Sequence, residues 1–93
     1  MSPDDLDQRF SEVVNSLVKI LRERGRDPNR SIRAMPGRAI SCSLDPVVRD
    51  GWTTWNVSTE MLESTAPAEV ASQLMAAWDA TLARMRAAGE APT

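Results

Sequence analysis

The apolar residues of this chain change period twice along its length, and that double switch limits the available folds more than any other feature. Leu6, Phe10, Val13, Val14, Leu17, Ile20 and Leu21 recur at steps of three and four, with Asp7, Gln8, Arg9, Ser11, Glu12 and Asn15 between them. That is the pattern of a helix with one buried stripe. Local signals agree at both ends. Ser2 can cap, Pro3 suits the first helical position, and Asp4 and Asp5 lie where a helix N-terminus favours negative charge. Lys19, Arg22 and Arg24 occupy the last turns, Gly25 can take the left-handed position beyond them, and Pro28 prevents continuation. A helix over residues 3–24 follows.

The middle third reads with a period of two. Residues 31–35 and 38–44 flank Pro36-Gly37, a pair that fits a type II turn, so they form a hairpin of two short strands. Ile40, Cys42 and Leu44 alternate there with Ala39, Ser41 and Ser43. Asp45-Pro46 and Asp50-Gly51 are turn signals around Val47 and Val48. A third strand is expected over 52–61, with Thr53, Trp55, Val57, Thr59 and Met61 on one face and Trp52, Thr54, Asn56, Ser58 and Glu60 on the other. The helical period then returns. Pro67 and Glu69 mark a first turn, and Val70, Leu74, Ala77, Trp78, Leu82 and Met85 run along one face over residues 67–88. Gly89 is a stop, and 89–93 is a tail.

The expected architecture is one α+β domain over residues 1–93: helix, three-stranded antiparallel meander, helix. At 93 residues a monomer of this shape is thinly stabilised, and both helical stripes look wider than a small sheet can cover. The sequence therefore predicts a homodimer. Leu17 and Leu21 of the first stripe, Trp78 of the second and Trp52 are its expected contacts. Trp52 and Trp55, three apart on one strand, face opposite ways. Trp55 shares its face with Val57 and Met61 and belongs to the core, which leaves Trp52 for a partner.

Composition closes off several classes of function. The chain has no His and no Tyr, and Cys42 is its single cysteine, so there is no internal disulfide, no cysteine-pair zinc site and no imidazole base. Cys42 alternates with Ile40 and Leu44 and reads as a buried thiol. Asp4, Asp5 and Asp7 read as helix N-terminal acids rather than as metal ligands. No enzyme, cofactor or metal is expected. No apolar run reaches membrane-spanning length and the first residues lack a secretory pattern, so the expected compartment is the cytoplasm.

Charge points the other way from this list of exclusions. The net charge is −2, yet the window from Lys19 to Arg38 holds seven basic residues (Lys19, Arg22, Arg24, Arg26, Arg30, Arg33 and Arg38) against Glu23 and Asp27. These seven are the candidate contacts to an anionic partner, above all the phosphates of double-stranded DNA, where charge neutralisation needs no base-reading motif.

The stretch Trp55-Asn56-Val57-Ser58-Thr59-Glu60-Met61-Leu62, the link Glu63 to Glu69 and the run Leu74-Met75-Ala76-Ala77-Trp78-Asp79-Ala80 resemble the YbaB/EbfC family of small nucleoid-associated proteins. The likeness spans most of the chain in topology and residues 51–86 in detail. The family's Gly-rich turns and Met/Gln-rich first helix have no counterpart here. The resemblance implies a dimeric, bacterial, nucleoid-associated protein that binds DNA with little sequence preference. Divergent relatives beside actinobacterial specialised secretion systems imply the alternative, a non-catalytic protein-interaction or adaptor module.

The absence of a ligand constellation makes a direct prediction. Excess chelator should leave the thermal midpoint unchanged; a large fall would show that the acids of the first helix hold an ion.

Overall fold

The computed structural model describes residues 2–44 and 51–89. The turns expected at Asp45-Pro46 and Asp50, and the tail over 90–93, lie outside the described residues. The element order is α1 (Pro3–Glu23), α2 (Pro28–Ser31), β1 (Ile32–Met35), β2 (Ala39–Ser43), β3 (Trp52–Asn56), α3 (Thr59–Ser64) and α4 (Pro67–Ala87). The fold is α+β, as the double period switch requires.

Helix α1 begins where its local chemistry says. The Ser2 side chain accepts from the Asp5 amide while the Asp5 carboxylate accepts from the Ser2 amide, a reciprocal capping box. It ends at Glu23, with Gly25 at φ +73°, the left-handed exit that a Cβ would disfavour. Pro28 does more than stop α1. Asp27 accepts from the Asn29 amide and Pro28 takes the first helical position of α2, so Ser31, expected in the first strand, closes this short helix instead.

The sheet is an antiparallel meander in the order β1-β2-β3. Ile32 pairs with Cys42 and Met35 with Ala39, leaving Pro36-Gly37-Arg38 as a three-residue loop. Gly37 at φ +79° has the sign expected after Pro36 in a type II turn, but Arg38 at φ +55° is also left-handed, so β2 begins one residue later than expected. On the other side Ala39 pairs with Asn56 and Ser43 with Trp52.

The expected strand 52–61 is the main correction. β3 stops at Asn56, and α3 occupies Thr59–Ser64. The cause is local: Ser58 accepts from the Met61 amide, and Glu60 sits in the first turn, a helix start that the β-branched residues around it had masked. Leu62, 1 % exposed, pins α3 to the core. Met61 still packs against that core, but from a helix.

α1 and α4 run parallel. Arg9 donates to the Leu62 carbonyl at 2.8 Å, and Ala66 and Pro67 share a surface hollow with Arg9 and Glu12. Further along, Ser72 shares one with Ile20 and Glu23, and Arg24 pairs with Asp79. Positions on both helices therefore rise together. Between them and the sheet lies one core of Leu6, Val13, Leu17, Leu21, Ile40, Cys42, Leu44, Val57, Leu62, Val70, Ala71, Leu74, Met75, Trp78 and Leu82. Trp55 is half-buried against it. Inside, the Trp78 indole Nε1 donates to the Ser43 carbonyl at 2.9 Å, which gives the buried ring its required partner.

This core corrects three of the expected dimer contacts. Leu17, Leu21 and Trp78 are interior to one chain, because the two helical stripes cover each other as well as the sheet. The case for a dimer from uncovered helices thus disappears. What remains open is the outer sheet face, where Ala39, Ser41 and Ser43 form a floor of small residues, with the Ser41 and Thr54 hydroxyls 2.9 Å apart. Met35 and Trp52 are the exposed large hydrophobics of the described residues, and both stand on this face.

Leu21→Ala should cost about 2–5 kcal/mol, the range for a buried leucine whose site collapses only in part. Urea unfolding at two protein concentrations checks the assignment. A core leucine gives the same loss at both, whereas a leucine at a dimer contact gives one that depends on concentration.

Candidate nucleic-acid interface

Parallel packing gives the charges a pattern that the linear sequence conceals. Both helix N-termini lie at one end of the molecule and both C-termini at the other. The first end gathers Asp4, Asp5, Asp7, Glu12, Glu60, Glu63 and Glu69 with Arg9 and Arg38, seven acids to two cations. The second gathers Lys19, Arg22, Arg24, Arg26, Arg30, Arg33, Arg84 and Arg86 with Glu23, Asp27 and Asp79, eight cations to three acids. The long axis measures 47 Å, several times the roughly 8 Å screening length at physiological ionic strength. Among the described residues the basic end therefore carries an excess of five positive charges, against a net −2 for the whole chain.

The seven predicted contacts divide among different roles. Arg38 leaves the group altogether: its Nε donates to Asp7 Oδ1 at 3.0 Å, which places it at the acidic end beside the start of α1. The hairpin carries it there, since β1 runs back along α1. Arg24 makes a two-pronged pair with Asp79, Nη1 to Oδ1 at 2.9 Å and Nη2 to Oδ2 at 3.1 Å, and that bond with Asp79 raises its pKa further. Both partners are nearly half exposed, so the pair ties α1 to α4 at about 0–1 kcal/mol and is only partly available to a ligand. Arg26 lies over the Trp78 ring, 4.7 Å from its centroid, sealing the edge of the core. Arg33 lies over the Trp52 ring at 4.9 Å, across the outer sheet face.

Lys19, Arg22 and Arg30 are exposed and have no acidic partner within 4 Å among the described residues. The same holds for Arg84 and Arg86, which sequence reading missed. Their place in the last turn of α4 was legible, but their grouping with α1 depends on helix direction, which no local signal gives.

Among the described residues no group of three His, Cys, Asp or Glu side chains could hold a metal ion, and no helix is long and apolar enough to cross a membrane. Cys42 is 3 % exposed, and burial pushes its thiol up to about 12. Such a thiol supplies almost no thiolate near neutral pH.

Comparison with known proteins gives no match at any of three levels: no family model, no curated protein and no solved structure matches the chain.

The raised Cys42 pKa fixes a pH dependence. Above the usual value of 9 the unfolded chain ionises this thiol while the folded chain keeps it protonated. Stability should therefore fall by up to about 1.4 kcal/mol per pH unit as pH rises from about 9 toward 12. Cys42→Ser, compared by urea unfolding at pH 8 and pH 10.5, should lose that component. A thiol reagent at pH 8 should modify the parent only on unfolding.

Proposed function

We propose that this chain is a non-catalytic DNA-binding protein that holds the phosphate backbone at its basic end and reads little sequence. The observation that carries the proposal is the parallel packing of α1 and α4, which brings Arg84 and Arg86 to the cations of α1 and α2. Five side chains at that end (Lys19, Arg22, Arg30, Arg84 and Arg86) have no acidic partner among the described residues. Each contact that neutralises a duplex phosphate contributes about 0.9 to the salt slope. Five contacts make binding strongly salt-dependent and nearly blind to base order. The helix–meander–helix order agrees with the nucleoid-associated resemblance. Its detailed support rests on residues 67–86, because the stretch over 55–62 is divided between β3 and α3.

The outer sheet face favours the second reading, a protein-interaction module. Met35 and Trp52 flank the floor of Ala39, Ser41 and Ser43, and a partner's surface, either a second copy in a homodimer or another protein, covers them in that reading.

A mobility-shift titration with unrelated duplexes at two salt concentrations tests the first reading. Lys19→Ala/Arg22→Ala/Arg30→Ala should weaken binding equally on every duplex and flatten the salt slope by about three units. Arg38→Ala, at the opposite end, should leave both unchanged. If the parent binds no duplex at low salt, the DNA reading fails and the sheet-face reading takes its place. Sedimentation of the parent against Trp52→Ser then shows whether the partner is a second copy.

A further inference from the structure

At the basic end, the C-terminal half of α4 and the adjoining ends of β2 and β3 border an open groove of about 600 Å³, lined by Leu44, Trp52, Thr53, Thr81, Arg84, Met85 and Ala88. Its size falls within the range of about 300–1,000 Å³ usual for small-molecule sites. We propose that this groove takes one unpaired base of a single-stranded nucleic acid whose phosphates lie on the basic end. The proposal rests on the DNA reading above and adds to it a preference for unpaired strand.

Four features select this occupant. Trp52 is 40 % exposed, and it already stacks a planar cation, Arg33, 4.9 Å from its ring centroid. Every base has a π-face, so an indole with a guanidinium beside it is a sequence-tolerant stacking platform. Leu44, Met85 and Ala88 give apolar walls, while Thr53 and Thr81 add hydroxyls. The Thr81 hydroxyl donates to the Ala77 carbonyl at 2.9 Å, so its free lone pair can only accept, as an exocyclic amine of a base requires. Among the described residues, none that lines the groove is acidic. Arg84, without an acidic partner among the described residues, stands at the groove as the phosphate contact. A paired base is shielded inside the duplex and cannot enter.

The test compares a fluorescein-labelled oligodeoxyadenylate of about a dozen nucleotides, within the span of known single-strand sites, with a hairpin duplex and with an abasic strand of equal phosphate number. The single strand should bind more tightly than the duplex at equal salt. Trp52→Ala should weaken single-strand binding by about 5- to 100-fold, as expected for loss of one stacked base. Its duplex affinity and salt slope should hold. Trp52→Phe should keep most of the affinity. Ala88→Phe, which fills the groove from outside α4 without touching the strand register, should reproduce the loss. The abasic strand should bind the parent as weakly as oligodeoxyadenylate binds Trp52→Ala. Circular dichroism confirms that each variant is folded.

The subsite is overturned if both Trp52→Ala and Ala88→Phe leave single-strand affinity unchanged, or if they lower duplex affinity as much. In that case a parent that still binds duplex with a steep salt dependence leaves the backbone reading intact. A parent that binds neither form at low salt overturns both.

Discussion

The apolar seam between α1 and α4 is the contact on which the rest of the molecule depends, and its direction is set by what joins the two helices. Sequence neighbours in a helical pair usually run antiparallel through a short loop. Here the meander and α3 intervene. The chain reverses into β1, at both turns of the antiparallel meander and once more before α4, four times in all, so the second helix starts at the end where the first began and runs with it. Leu17 and Leu21 then face the stripe of Val70, Leu74 and Trp78 in parallel. Parallel helices align like ends of their macrodipoles, which repel. Asp4, Asp5 and Glu69 in the first turns and Arg22, Arg84 and Arg86 in the last turns offset that repulsion at both ends, each by about 0.3–1 kcal/mol. The Arg24–Asp79 pair adds a direct tie across the seam.

With both helices on one side, the sheet has a covered and an uncovered face, and its middle strand shows how a small sheet manages this. Every residue of β2 is buried, although only Ile40 and Cys42 within it belong to the main core. Ala39, Ser41 and Ser43 are small enough to be hidden by the side chains of β1 and β3 that flank them. The register places Met35 and Asn56 beside Ala39, Arg33 and Thr54 beside Ser41, and Trp52 beside Ser43. Arg33 reaching over the Trp52 ring therefore crosses the central strand and roofs it. The outer face is half closed by its own side chains, and the exposed apolar area is reduced to the two ends of one diagonal, Met35 and Trp52.

What the sequence made legible was whatever is decided within one turn of chain. The Ser2–Asp5 capping box, Gly25 at the end of α1, Gly37 in the hairpin and the alternation that buries Ile40 and Cys42 are all local, and each stands where its residues place it. α2 and α3 are local as well, but their signals overlap with others. Asp27-Pro28 and Ser58-Thr59-Glu60 are helix starts, but the first coincides with the stop signal of α1 and the second lies among Thr and Val residues whose strand propensity masks it. Periodicity shows which side of a helix is apolar but not what covers it. Leu17, Leu21 and Trp78 therefore look in sequence like contacts to a partner, although the same chain covers them. The candidate interface was half legible for a related reason. A charge count along the chain finds Lys19 to Arg33, yet it also collects Arg38, which the hairpin carries to the other end, and omits Arg84 and Arg86, which the parallel seam returns.

How far that basic end exceeds what the fold needs can be judged from the helix dipoles. Two helix C-termini together present about one unit of negative charge, and Glu23, Asp27 and Asp79 add three more. Among the described residues, eight cations therefore outnumber the structural demand by about four. Arg24 and Arg33 have partners of their own on Asp79 and Trp52, but pairing with a ring, as at Arg33, leaves the charge uncancelled. Like charges held this close repel, and the repulsion weakens the compact state. A chain whose net charge is already negative gains no solubility from such a patch that scattering the same cations would not also give. The surplus is intelligible as a surface that meets an anion, and its position beside the half-exposed Trp52 joins the charge and the aromatic ring in a single region of the molecule.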